Sequence, residues 1–267
     1  MISSEPLGSV KPIANKDIIL ELQDAVSNVY ISDAIYEYIV SLSNATRNNP
    51  LIKLGISPRG TLALTQISQG IALAMVRKIV KMNAFTKAEK WDYTNSIPVH
   101  RFNQMTVGVI GLGRIGRNFA KKMNALGFKV IGTDPYFKPT PETDEYVTPV
   151  TMEEVIEKSD VISLHCPADG NIDLFNKETF KKMKNNAVLI NVARGGIINE
   201  EDLDQALTDG EIAGAALDCM LGEPVSKDSP LFKHENVIVT PHMAWYSEEA
   251  AQESSCTAVL QAMQTVR

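Results

Sequence analysis

Three short stretches close apolar runs with residues able to do acid–base and carboxylate chemistry. They are INVARGG with Arg194, ALDCMLGEP with Asp218 and Glu223, and VTPHMAW with His242. A guanidinium can clamp a carboxylate through two parallel hydrogen bonds. An imidazole can pass a proton to or from an oxygen, and a carboxylate beside it orients the ring and favours its charged form. Taken singly, each residue reads as a surface or capping group. Each stretch, however, stands where a predicted strand ends, and open α/β sheets bind their ligands beyond the carboxyl ends of the strands. Arg194, Glu223 and His242 are therefore the candidate catalytic residues.

A second group of residues suits a nucleotide. VGVIGLGRIGRNFA places Gly111, Gly113 and Gly116 between a predicted strand and a predicted helix. The first glycine permits a tight turn, the second lets backbone approach a pyrophosphate, and the third lets helix and strand pack closely. The helix N-terminus then faces the phosphate charge. The next strand ends at Asp134, 18 residues after Gly116, where a carboxylate can accept from ribose hydroxyls and would repel a 2′-phosphate. The expected cofactor is NAD rather than NADP.

The elements that must position these groups show two textures. Up to about residue 100 the pattern is helical. Asn15 can cap a helix through KDIILELQDAV, and Ser32 one through DAIYEYIVSLSNATR. Ser57-Pro58 reads as an N-cap with proline at the first helical position, and helical spacing then runs to Met82, weakened only by Gly60 and Gly70. After residue 105, short apolar runs alternate with amphipathic helices: TVGVI, KVIGTD, VISLH, AVLINVA, IAGAALD and VIVT are the strands. The helices between them are RIGRNFAKKMNALG, TMEEVIEKSD, NKETFKKMKNN and NEEDLDQALTDG, with SEEAAQESSCTAVLQAM last. Thr151 with Glu154 reads as a capping box, and Gly127 and Gly210 sit where helices should stop. Unbroken apolar strands joined by helices imply a parallel sheet covered on both faces. The expected fold is a doubly wound, Rossmann-type α/β domain preceded by a small all-helical unit.

Composition narrows the function classes. A net charge of −6 and a pI near 5.3 argue against nucleic-acid or membrane-surface binding, which needs a basic face. No apolar run approaches the roughly 18 residues of a membrane span, and MISSEPLGSVKPIANK lacks the apolar stretch of a signal peptide. Cys166, Cys219 and Cys256 are odd in number and widely spaced, which suits reduced thiols in the cytoplasm and suggests neither a disulfide framework nor a metal site.

In combination these motifs resemble the D-2-hydroxyacid dehydrogenases. RKIVKMNAFTKAEKWDY, GLGRIG, DPY, LHCPAD, NVARGGIINEEDL, LGEP and TPHMAWYSEEA follow in that family's order, from about Ile71 onward. The resemblance implies hydride transfer between NAD(H) and a small 2-oxo or 2-hydroxy acid. Arg194 would grip the acid, Glu223 would pair with His242, and His242 would protonate the carbonyl oxygen. Besides the three glycines and Asp134, it implies cofactor contacts from Arg114 and Ile115, and from His165, Cys166 and Pro167. Val192, Ala193, Asp218 and His242 complete them, with Asp218 holding the nicotinamide carboxamide. His165 reads as structural rather than catalytic, and His100 and His234 as solvated. Trp245 and Tyr246 resemble the branch of the C-terminal-binding co-repressors, with Trp245 either packing or walling the substrate. Residues 71–104 resemble the family's dimerisation segment, so a homodimer is expected.

The N-terminal part departs from that family, which begins with a substrate lobe of its own. Here residues 5 to 70 resemble the helical lid of MoxR-type AAA+ ATPases, through EPLGSVKPI, ILELQDAVSNVYISDAIYEYIVSLSNATR and LGISPRGTLAL. Arg59 of the SPR motif faces ATP in those proteins, but no GxxxxGK[ST] loop occurs here, so ATP hydrolysis has no apparatus. The division expected is a lid-like unit over 1–70 and a dinucleotide-binding domain over 71–267. The substrate lobe is expected to be missing, which leaves a non-catalytic NAD(H)-binding regulatory module as the alternative, with a protein partner docking through residues 1–70.

Overall fold

The computed structural model describes residues 58–248 and residue 250. The lid-like motifs between residues 5 and 57, and most of the expected C-terminal helix with Cys256, lie outside the described residues.

Helix α1, Pro58–Val76, opens on a proline whose missing N–H costs nothing in a first turn. It runs unbroken through residues 66–72, where the lid-like resemblance gives way to the dehydrogenase-like one. Ile71, Ala72 and Val76 are buried, and Leu64 and Ile67 pack beside them. The expected continuation to Met82 does not occur. The chain turns at Arg77 and Lys78, with Lys78 left-handed at φ 52°, before α2, Ile79–Lys87. Helical spacing reports apolar residues but not the direction they face. Those of α1 face the core, whereas Ile79 and Val80 are 55% and 49% exposed, so the two stripes cannot share one straight helix.

From residue 106 the chain alternates strand and helix. The strands are β1 Thr106–Ile110, β2 Lys129–Thr133, β3 Thr148–Pro149, β4 Val161–Leu164, β5 Val188–Asn191, β6 Gly214–Leu217 and β7 Val237–Val239. Between them lie α3 Arg114–Ala125, α4 Pro141–Asp144, α5 Met152–Lys158, α6 Lys177–Phe180 and α7 Glu200–Asp209. All strand pairs are parallel, in the order β3-β2-β1-β4-β5-β6-β7. The direction of winding reverses between β1 and β4, which opens a crevice there. Period-two alternation divides the side chains between two cores. Val107, Val109, Val188, Ile190 and Ala216 pack with α1 and α3 on one face. Ile110, Ile162, Leu164, Leu189 and Leu217 pack with α5 and α7 on the other. Fully buried Phe119 and Leu203 each contribute on the order of 2–3 kcal/mol of transfer free energy.

Local signals set the element ends. Thr151 and Glu154 form the expected capping box, and Gly127 and Gly210 adopt φ of +93° and +70°. One expectation needs correction, and one strand lies outside the pattern. NKETFKKMKNN forms only the single turn α6, because Lys184 and Asn186 turn back to Asp160 at 2.9 and 3.3 Å. β3 leaves no apolar signal in the sequence because it is two residues long, exposed and contains a proline, which suits an edge. No helix of the described residues is long and apolar enough to cross a membrane.

Candidate active site

The β1–α3 turn is shaped for a close ligand. Gly111 has φ +92°, and a Cβ there would lie 2.7 Å from the carbonyl oxygen of His165. At Gly116 a Cβ would collide with the carbonyl oxygen of Gly111. Gly113 differs, since nothing lies within 4 Å of a Cβ built on it. It is also the N-cap of α3 and offers no side-chain cap, so the positive end of the helix lies beside that open position. Asp134 follows β2 and accepts the N–H of Leu112 at 2.8 Å through Oδ2 and that of Tyr136 at 2.8 Å through Oδ1. Each oxygen retains a lone pair for a ribose hydroxyl. These residues fit NAD. Arg114 and Ile115 open α3, the first exposed and the second half-buried.

Across the crevice, His165, Cys166 and Pro167 follow β4. The backbone N–H of His165 donates to Ile110 at 2.7 Å, its ring meets Ser163 Oγ at 3.0 Å, and its centroid lies 5.0 Å from that of Phe119. Enclosure by protein pushes its pKa down to about 3, so the ring is neutral and serves as wall rather than acid. Burial, together with the charge of Asp134, raises the pKa of the Cys166 thiol.

Arg194 follows β5, after buried Val192 and half-buried Ala193. Its guanidinium is exposed and donates to the Ala193 carbonyl at 2.7 Å. Asn191, 1% exposed, ties this turn by donating to the Arg194 carbonyl at 2.8 Å and accepting the Ala193 N–H at 3.0 Å. Gly195 is required next, because a Cβ would strike the carbonyl of Met220.

Glu223 and His242 meet, with Nδ1 of the histidine 2.6 Å from Oε2 of the glutamate. The other oxygen, Oε1, accepts the Met220 N–H at 2.9 Å. The hydrogen bond from His242 is the main reason the Glu223 carboxyl sits below its ordinary pKa, helped by that N–H and by the charge of Arg194. Both side chains stay reachable, 42% exposed for His242 and 35% for Glu223. Cys219, directly after Asp218, is buried beside them. Burial and the charges of Asp218 and Glu223 push its thiol up to about 12.

His242 itself has φ 50°, the left-handed region that a non-glycine residue enters only when its surroundings hold it there. Asp218 does the holding. This 2%-exposed carboxylate accepts the Thr240 hydroxyl at 2.6 Å and the N–H groups of Met243 and Ala244, each at 2.9 Å. The sequence marks Asp218 as a cofactor ligand, and its grip on the His242 loop is invisible there. The roles of Asn191 and Thr240 are invisible in the sequence for the same reason. The available signal was a polar residue closing an otherwise apolar strand.

All the expected groups lie at the carboxyl ends of β1, β2, β4, β5, β6 and β7, along one edge of the sheet. One reading is corrected: His234 is not solvated but 12% exposed, with Nε2 2.6 Å from Asp204 Oδ1. The partner comes from α7, 30 residues earlier, which no local pattern reveals. His100 is exposed.

Comparison with known proteins matches the geometry. The chain is 37% identical over 214 residues to D-3-phosphoglycerate dehydrogenase 2, chloroplastic, of Arabidopsis thaliana, covering 80% of this chain and 34% of that protein. It is 33% identical over 213 residues to the hydroxypyruvate reductase of Blautia hydrogenotrophica, covering 78% and 66%. The chain thus spans about a third of the first relative's length and just under two thirds of the second's. Among solved structures, the NAD complexed form of a D-isomer specific 2-hydroxyacid dehydrogenase from Lactobacillus delbrueckii ssp. bulgaricus superposes with a TM-score of 0.70. The identity is 30%, covering 77% of this chain and 67% of that one. The family described as D-isomer specific 2-hydroxyacid dehydrogenase, NAD binding domain, matches residues 69–244. A match that begins inside α1 and ends two residues past His242 takes in the whole crevice, and the chain belongs to that family.

Proposed function

We propose that the protein is an NAD-dependent oxidoreductase acting between a small 2-oxo acid and the corresponding D-2-hydroxy acid. The observation that carries this reading is the 2.6 Å bond between His242 Nδ1 and Glu223 Oε2, on the same sheet edge as Arg194. Bound NADH supplies the hydride. The chain's residues do the rest. Arg194 pairs with the substrate carboxylate and orients the neighbouring carbonyl. Nδ1 of His242 is committed to Glu223, so Nε2 carries the proton delivered to the carbonyl oxygen. Glu223 fixes the ring and stabilises its charged form. In the reverse direction the same ring accepts the hydroxyl proton. Asp134 favours NAD over NADP, and Oδ2 of Asp218, which takes the Ala244 N–H, is the oxygen proposed to accept from the carboxamide as well.

We further assign the protein to the cytoplasm and to a homodimer. The support for the dimer is apolar surface on α2 and the segment after it, where Trp91, Tyr93 and Ile97 are 91%, 77% and 62% exposed. Residues 1–70 are proposed as a lid-like unit that offers a docking face to a protein partner.

The test follows NADH absorbance while pyruvate, hydroxypyruvate, its phosphorylated form and a branched 2-oxo acid are added in turn. Oxidation with at least one acid is expected, and His242→Ala should abolish it while NADH still binds. NADH binding without oxidation by any acid would replace this reading with that of an NAD(H)-responsive binding module.

A further inference from the structure

We propose that Cys219, Glu223 and His242 form a binding site for a thiophilic divalent cation of the zinc class, one that competes with catalysis. One ligand atom from each lies within 4.8 Å of the others. They present sulfur, carboxylate oxygen and imidazole nitrogen, the donor types zinc takes. Tetrahedral zinc with bonds of about 2.0–2.3 Å holds its donors roughly 3.3–3.6 Å apart. The His242–Glu223 separation of 2.6 Å must widen by a little under an ångström, and the others, at most 4.8 Å, need close by no more than a little over one.

The donors are carried on fixed backbone. Cys219 directly follows Asp218 at the end of β6, and its Sγ is 3.6 Å from the Ala193 carbonyl. Glu223 is tied to the Met220 N–H, and the His242 loop is pinned by Asp218. Charge balances as well. A dication binding a thiolate, a carboxylate and a neutral imidazole makes a neutral centre, with the thiol proton released to the buffer as the metal–sulfur bond forms. Three protein donors leave a fourth position for water.

The metal takes His242 Nδ1 away from Glu223 and removes the arrangement that readies the ring for proton transfer. That inhibitory consequence rests on the dehydrogenase reading, whereas the binding does not.

The full chain is titrated with Co²⁺ and the near-ultraviolet thiolate-to-cobalt absorption recorded, with Zn²⁺ then added to displace it. One saturable equivalent is expected. Cys219→Val should lose the thiolate band, and His242→Ala, a change at a partly exposed position, should weaken affinity by about tenfold or more. Cys166→Ser and Cys256→Ser should keep the band. Absence of a saturable band, a band that survives Cys219→Val, or an unchanged affinity in His242→Ala overturns the site. NADH oxidation in chelator-treated protein is then measured against Zn²⁺. Inhibition at the spectroscopic affinity supports competition, and full activity with the site loaded overturns it. A loaded site in a chain that never oxidises NADH leaves the metal proposal standing and removes the dehydrogenase reading.

Discussion

Buried Asp218 accepts the backbone N–H of Met243 through Oδ1 at 2.9 Å, one residue beyond His242. A second N–H, from Ala244, reaches Oδ2, and the Thr240 hydroxyl reaches Oδ1. The proposed acid–base residue therefore rides on a loop whose shape is dictated by the neighbouring strand. Charge-assisted bonds of this kind are roughly twice as strong as neutral ones, and here they offset the left-handed backbone at His242.

Asp218→Asn should damage that loop more than its size suggests. An amide NH₂ turned toward backbone N–H donors satisfies none of them, and the cost of unmet buried donors is about 1–3 kcal/mol. The expected outcome is a lower Tm and a kcat reduced on the order of 10–100-fold, with a smaller fall in NADH affinity, because the carboxamide contact is one of several and the glycine turn is untouched. Scanning calorimetry and steady-state kinetics check both parts.

Glu223→Gln should lower kcat by about tenfold or more with a smaller change in KM, since a neutral amide orients the ring but does not stabilise its charged form. The wild-type pair also has a defined acid limit. Glu223 has its folded pKa depressed below its ordinary 4.5, so its contribution is present above that value and is lost as pH falls through the depressed one. The activity loss at low pH that belongs to this carboxylate should be missing from the variant's profile.

Gly116→Ala tests the cofactor turn. The added methyl meets the carbonyl of Gly111, and helix and loop must separate. NADH affinity should fall on the order of tenfold or more, and stability by about 1–3 kcal/mol. Fluorescence titration reads the first and chemical denaturation the second. Gly113→Ala, with nothing within 4 Å of its Cβ, should leave the fold intact and weaken only cofactor binding.

His165 sets a pH dependence of stability. Its pKa falls from the ordinary 6.5 to about 3, so the unfolded chain binds the extra proton between those values. Stability should rise with pH across that window, and protein held at pH 7 should lose it as pH drops below about 6.5. The slope is at most about 1.4 kcal/mol per pH unit. Tm measured from pH 7 to 4 should show this slope in the wild type and a shallower one in His165→Gln.

Much of this was legible in the chain because it is written locally. The glycine turn, the capping box at Thr151 and the apolar strands each occupy a few consecutive residues, and their order implies a parallel sheet. The line of Asp134, Arg194, Asp218 and His242 along one edge follows, since each closes an apolar run. What could not be read depends on which elements become neighbours. The bonds from the His242 loop to Asp218 exist because β7 pairs with β6. Asn191 reaches across to the Cys219 carbonyl at 3.4 Å from β5, and His234 finds Asp204 on α7. The bend at Lys78 is a matter of direction, to which a hydrophobic period is blind.

β7 is three residues long, only partly buried and, among the described residues, paired on one side alone. Terminal strands of this kind detach first when a protein breathes, at a fraction of the free energy needed to melt the whole. The histidine loop hangs from that strand, so its working geometry disappears with each such excursion. Mild denaturant would then silence proton transfer while the remaining six strands keep their far-ultraviolet dichroism and the nucleotide crevice keeps its grip. In such a molecule, loss of turnover measures fraying of one edge, not unfolding.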